Sequence, residues 1–241
     1  MIMQIIGHRG ARGEAPENTL AGFQYIHDLG IRAVEFDVRQ LKDHELIIMH
    51  DDNFLRTTGI DQQLYACSSL ELEPYNQAHI WLDWPKQITP TLKQSLNIMQ
   101  DFKHLEVEVK AVETAEQANI LITELQKQLQ GFEHNAVITS FDLKIHQALQ
   151  QQNSTFKRGL LIEDDIESVA IEQALQLGCC QIGWMNQLAT DEILLATQQA
   201  DLKISVWTVN DVERAKHLQK MGVNGLITDF PKLMLQHLDI A

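Results

Sequence analysis

Ala33-Val34-Glu35-Phe36-Asp37-Val38 alternates apolar and acidic residues, and Leu105-Glu106-Val107-Glu108-Val109-Lys110 repeats the pattern further along the chain. Alternation with period two is the mark of a β-strand. Glu35 and Asp37 therefore share one face of the first strand, and Glu106, Glu108 and Lys110 share one face of the second. Their other faces are wholly apolar and read as the sides covered by helices. A single strand of this kind is ordinarily half exposed. Two of them inside a parallel α/β pattern put several charges on an inner face, where unpaired burial is costly.

Working outward, similar short apolar runs recur along the chain. The alternation predicts strands over 3–8, 33–38, 105–110, 136–141, 158–162, 180–184, 204–208 and 225–228. Helical spacing predicts helices over 17–29, 91–102, 114–129, 142–151, 166–177, 190–200, 212–221 and 231–238. Eight strands each followed by a helix predict a parallel α/β fold. A chain of 241 residues fits a closed (β/α)8 TIM barrel, which typically takes about 250. An open doubly wound sheet is the other arrangement of such a pattern, but the glycine-rich phosphate loop usual after its first strand is missing. Residues 38–48 read as strand, polar turn and strand, an antiparallel hairpin because so short a connection cannot join parallel strands. A small insertion of weak periodicity follows at about 51–90, with Trp81, Trp84 and Pro85; it either lines a pocket or packs on the barrel rim. The expected organisation is one domain over 1–241.

Composition narrows the function. Asp and Glu outnumber Lys and Arg by 33 to 19, a net charge of −14, which disfavours nucleic acids and anionic membranes as partners. No apolar run reaches the roughly 18 residues of a membrane span. The N-terminus lacks the charged opening and long apolar core of a secretory signal. Cys67, Cys179 and Cys180 are an odd set, two of them adjacent, which reads as small buried thiols in a reducing compartment and not as a disulfide framework.

His8 and Arg9 end the first strand, and His50 ends the return arm of the hairpin. Histidine suits proton transfer near neutral pH, and arginine offers a fork for a phosphate or carboxylate. His104, His134, His146, His217 and His237 read as helix or loop residues at the surface. Carboxylates gathered on inner strand faces invite a hard divalent cation. With Lys110 beside them, the set fits metal-assisted hydrolysis of a phosphate ester. No nucleophile elbow for acyl transfer and no close His/Cys zinc spacing occurs.

Gly7-His8-Arg9-Gly10, Ala15-Pro16-Glu17-Asn18-Thr19, Val34-Glu35-Phe36-Asp37-Val38, His50-Asp51 and Arg56-Thr57-Thr58-Gly59 together resemble a glycerophosphodiester phosphodiesterase. The resemblance continues through Glu106 to Lys110, Thr139 to Asp142, Val206 to Asn210 and Gly225 to Pro231, nearly the whole chain. It implies a barrel that cleaves glycerophosphodiesters, such as glycerophosphocholine or glycerophosphoethanolamine, to sn-glycerol 3-phosphate and an alcohol. It implies a divalent cation (Mg²⁺, Ca²⁺ or Mn²⁺) held by Glu35, Asp37 and Glu108, with His8 and His50 as the acid and base pair. Arg9 and Lys110 would bind phosphate, Trp207 would line the pocket, and Glu17, expected at the start of a helix, would support Arg9 or the metal. The absent leader resembles the cytosolic bacterial members. A lysophospholipase D-like phosphodiesterase on the same barrel is the alternative reading. The chain departs from the family in the hairpin turn, where Leu41 replaces a common threonine and His44 stands where glycine is usual. Oligomeric state is left open.

Overall fold

The computed structural model describes residues 3–166 and 168–238. Glu167, within the helix expected over 166–177, and the first two residues of the N-terminus lie outside the described residues. Eight parallel strands close into a barrel: β1 (Gln4–His8), β2 (Ala33–Gln40), β4 (His104–Val109), β5 (Ala136–Ser140), β6 (Lys157–Ile162), β7 (Gln181–Met185), β8 (Lys203–Trp207) and β9 (Gly225–Thr228). Closure is made by β1, which pairs with β2 on one side and β9 on the other. The hairpin is present: β3 (Leu46–Ile48) lies antiparallel to the end of β2, with Val38 opposite Ile48. His44 in its turn has φ +67°, the left-handed region, which explains the family's preference for glycine there.

Helices α1 (Leu20–Asp28), α3 (Leu92–Ile98), α4 (Ala115–Gln128), α5 (Leu143–Gln151), α6 (Val169–Gln176), α7 (Asp191–Gln199), α8 (Val212–Lys220) and α9 (Pro231–His237) alternate with the strands. Side chains of Thr19, Thr91, Thr114, Asp142, Thr190 and Asp211 accept from first-turn N–H groups of the helices they precede. Each satisfies a backbone donor that would otherwise be orphaned where a loop re-enters a helix. The main core lies between strands and helices and holds Phe23, Phe36, Phe102 and Trp184. Inside the barrel the buried apolar cluster shrinks to Ile6, Ala33 and Ile227. The space above it is left to polar side chains.

The insertion carries a short helix, α2 (Leu55–Thr58), and packs on the hairpin. Phe54 stacks on Tyr75 at 3.9 Å, over a buried cluster with Leu41, Ile47, Met49, Leu64, Cys67 and Leu72. It therefore has a core of its own, invisible to a search for long periodic elements because its helical pieces span only three or four residues.

Register sets the chemistry. Across β1 and β2, His8 lies opposite Glu35. Across β2 and β4, Glu35 lies opposite Glu106 and Asp37 opposite Glu108. Just above β1 the chain folds back so tightly that a Cβ on Gly7 would sit 1.9 Å from the carbonyl oxygen of Gly10, a residue held at φ +89°. Gly7→Ala is expected to destabilise the fold by about 1–3 kcal/mol, as overpacking against backbone does. Urea denaturation monitored by circular dichroism measures it, and an unchanged midpoint would show that the first βα turn has room to relax.

Candidate active site

A cavity of about 310 Å³ opens at the C-terminal ends of the strands, lined by His8, Arg9, Glu35, His50, Glu108 and Lys110 and walled by Phe141 and Trp207. This is the end of a (β/α)8 barrel at which reactive groups collect. Asp37 lies fully buried just beneath. Glu35, Asp37 and Glu108 each bring a carboxylate oxygen within 4.8 Å of the other two.

Asp37 is the hub. Lys110 Nζ lies 3.0 Å from its Oδ1, Arg9 Nε lies 3.2 Å from its Oδ2, and Asn18 Nδ2 donates to Oδ2 at 2.8 Å. Burial alone would raise the Asp37 pKa, but Lys110 and Arg9 outweigh it and hold the carboxyl well below the usual range. Its neighbours move the other way. Burial, then the Asp37 and Glu108 charges, push Glu35 well above an ordinary carboxylate. Burial and Asp37 likewise raise Glu108, although Lys110 donates a hydrogen bond to it. Burial opposes charge on Arg9 and Lys110, yet the carboxylates around them prevail and raise both pKa values.

The three carboxylates are thus answered by only two neighbouring cations, and Arg9 Nε and Asp37 Oδ1 make these contacts as ion-pair atoms without a hydrogen bond. Arg9 N–H donates to Glu35 Oε2 at 3.0 Å, but Glu35 Oε1 is buried without a hydrogen-bond partner. An orphaned carboxylate oxygen beside two others is the donor set of a hard cation. The residues present could hold one.

Both histidines are oriented by aspartates. His8 Nδ1 donates to Asp229 Oδ1 at 2.6 Å, and His50 Nδ1 donates to Asp51 Oδ1 at 2.7 Å. A carboxylate can only accept, so each pairing puts the proton on Nδ1 of the neutral ring and leaves Nε2 free. Asn210 Nδ2 donates to Asp229 Oδ2 at 2.8 Å and fixes that carboxylate in turn.

Glu17 stands behind Arg9 among three guanidinium groups: it accepts from Arg9 at 2.9 Å and from Arg56 at 2.7 and 2.8 Å, and Arg12 Nε lies 3.4 Å from its Oε2. It does not begin a helix. Thr19 is the cap and α1 starts at Leu20, because Asn18 takes φ +54° and turns the chain. Trp207 ends β8 on the inner side, donates to the Gly183 carbonyl at 3.0 Å and meets Phe141 edge to face at 5.4 Å. None of the insertion residues lines the cavity; that segment reaches the centre through Asp51, which accepts from His50, and Arg56, which bonds Glu17 and, at 2.6 Å, Asp51.

Sequence reasoning singled out His8, Arg9, Glu35, His50, Glu108 and Lys110 but not Arg12 or Glu163, which also line the cavity, nor the residues that orient these side chains: Asp229, Asp51, Arg56 and Asn18. All four stand in the short runs quoted for the family resemblance, which was the available signal. Two of the histidines read as surface residues are elsewhere. His146 is fully buried, with Nε2 donating to the Ser140 carbonyl at 3.0 Å. His104 opens β4, half-buried, and donates to Glu106 at 3.1 Å.

Comparison with known proteins makes this barrel a hydrolase of phosphoric diesters. The chain matches the Glycerophosphoryl diester phosphodiesterase family over residues 8–233 and belongs to it. YhdW of Bacillus subtilis is 27% identical over 97% of both chains. A glycerophosphodiester phosphodiesterase of Caldanaerobacter subterraneus is 24% identical over 96% of both. An Oleispira antarctica phosphodiesterase, solved in complex with the product sn-glycerol-3-phosphate, superposes with a TM-score of 0.89 at 24% identity, covering 99% of this chain and 97% of that one.

The network makes stability depend on pH. Burial would raise Glu17 and Asp51, but hydrogen bonds and charge from Arg56, Arg9 and His50 lower both. Their folded pKa values lie below the unfolded ones, so this contribution is complete above about pH 4–5 and is lost as pH falls through the folded values. Arg56 is partly solvated, so Arg56→Met should cost only about 1 kcal/mol at pH 7 after screening, and much less at pH 2–3. Urea denaturation at both pH values checks this; an equal loss at both would contradict it.

Proposed function

We propose that the chain hydrolyses glycerophosphodiesters, such as glycerophosphocholine or glycerophosphoethanolamine, to sn-glycerol 3-phosphate and an alcohol. The observation that carries this is the pair of aspartate-oriented histidines facing one cavity with a buried carboxylate cluster. A divalent cation (Mg²⁺, Ca²⁺ or Mn²⁺) would be held by Glu35, Asp37 and Glu108. When bound it would supply Lewis-acid stabilisation of charge on the phosphoryl oxygens. Oxygen-only ligands favour these hard ions over zinc.

The chain's own residues do the rest. Arg9 and Lys110 line the cavity and bind the non-bridging oxygens of the diester. Asp37 holds both cations in place, and Glu17 holds Arg9 from behind. One histidine takes a proton at Nε2 from the attacking hydroxyl, either water or the glycerol 2-hydroxyl. The other gives a proton from Nε2 to the leaving alkoxide. Asp229 and Asp51 keep each ring in the required tautomer and stabilise its charged form. Trp207 and Phe141 give the glycerol moiety an apolar wall.

The reading favours soluble diesters over lysolipids. No helix among the described residues is long and apolar enough to cross a membrane. Trp81 and Trp84 pack edge to face on one another, away from the cavity. Three free thiols fit a cytoplasmic enzyme.

The test is release of glycerol 3-phosphate from glycerophosphocholine, with lysophosphatidylcholine alongside. Activity on the soluble diester should vanish with EDTA and return with Mg²⁺, Ca²⁺ or Mn²⁺. His8→Ala and His50→Ala should each lose on the order of 10² to 10⁴ in rate. Turnover of the lysolipid alone would replace this reading with the lysophospholipase D alternative. Folded variants with near wild-type rates would remove the acid and base assignment.

A further inference from the structure

The opposite end of the barrel carries a second, unrelated cavity of about 240 Å³. Three lysines line it: Lys103, just before β4, Lys157, which opens β6, and Lys203, which opens β8. His104 and His134 join them, and no carboxylate lines the cavity. This occurs in a chain whose acids exceed its Lys and Arg by 33 to 19. Such a chain repels anions on average, so a carboxylate-free lysine cluster is a local reversal of its field.

The cations are not spent on one another's neighbours. Lys157 Nζ donates to the His134 carbonyl at 2.8 Å. Lys103 and Lys203 have no side-chain partner among the described residues. Buried polar groups also line this cavity. Gln181 is held by hydrogen bonds from its Nε2 to Glu106 at 2.8 Å and Ser205 at 3.2 Å. Asn135 is only 5% exposed, donates through Nδ2 to the Phe102 carbonyl at 2.8 Å, and leaves Oδ1 buried without a partner.

We propose that this N-terminal mouth is a binding site for a small phosphate-bearing anion, with Lys103, Lys157 and Lys203 on the phosphate. The site is separate from the catalytic one. Glu106 lines the catalytic cavity, and its hydrogen bonds from His104 and Gln181 close the barrel between the two. Lysine serves here as a point charge for phosphate, and three of them suit a dianion better than a neutral ligand.

The test is acetylation footprinting of the full chain by mass spectrometry, with ribose 5-phosphate and inorganic phosphate as probes. Ribose 5-phosphate and inorganic phosphate should each protect Lys103 and Lys203. Lys103→Gln should raise the concentration that half-protects Lys203 by about tenfold. Turnover of glycerophosphodiesters should stay at the wild-type rate in that variant. No protection of either lysine at about 10 mM probe, or half-protection of Lys203 unchanged by Lys103→Gln, would overturn the proposal.

Discussion

The structure turns on one buried carboxylate, Asp37, and on the two cations drawn to it. An ionised acid in a barrel interior is affordable only with partners of good geometry. Arg9 comes from the end of β1 and Lys110 from the end of β4, so this one residue ties three adjacent strands together. The pairing also sets the electrostatics of its neighbours. Arg9 is shared between Asp37 and Glu17 and Lys110 between Asp37 and Glu108, so the carboxylates outnumber the cations and Glu35 keeps a buried oxygen with no partner. A ligand-ready site is the result of this imbalance, and removing either cation would alter all three carboxylates together.

Around that hub lies a shell whose members act through others. Asp229 orients His8, Asp51 orients His50, and Arg56 bridges Asp51 to Glu17, which in turn braces Arg9. The insertion contributes Asp51 and Arg56 to this shell and otherwise packs on the hairpin around Phe54 and Tyr75. Its part in the site is support from one side, and the reaction cavity itself is made by the barrel.

Much of this was legible in the sequence, for a physical reason. In β2 and β4 apolar outward positions alternate with charged inward ones, so Glu35, Asp37, Glu108 and Lys110 stand out from spacing alone. His8, Arg9 and His50 were visible because they sit where apolar runs stop. What was hidden depends on contacts distant in sequence. The His8 to Asp229 bond spans 221 positions, and no local pattern announces it. Glu17 was misplaced onto a helix because an acid before a periodic run mimics a helix start, whereas the turn at Asn18 delays the helix to Leu20. His146 was misread because a polar residue on an amphipathic helix is ordinarily solvated, and here the carbonyl of Ser140 receives its proton in the core.

The account's central claim is that the surplus of buried carboxylate exists to hold a cation. The most direct measurement is a crystal structure of the chain soaked in Mn²⁺, with anomalous difference maps collected near the manganese edge. The account predicts one strong peak within bonding distance of Glu35, Asp37 and Glu108, with Glu35 Oε1 among its ligands. A map without a peak there, at Mn²⁺ concentrations that support turnover, would contradict it.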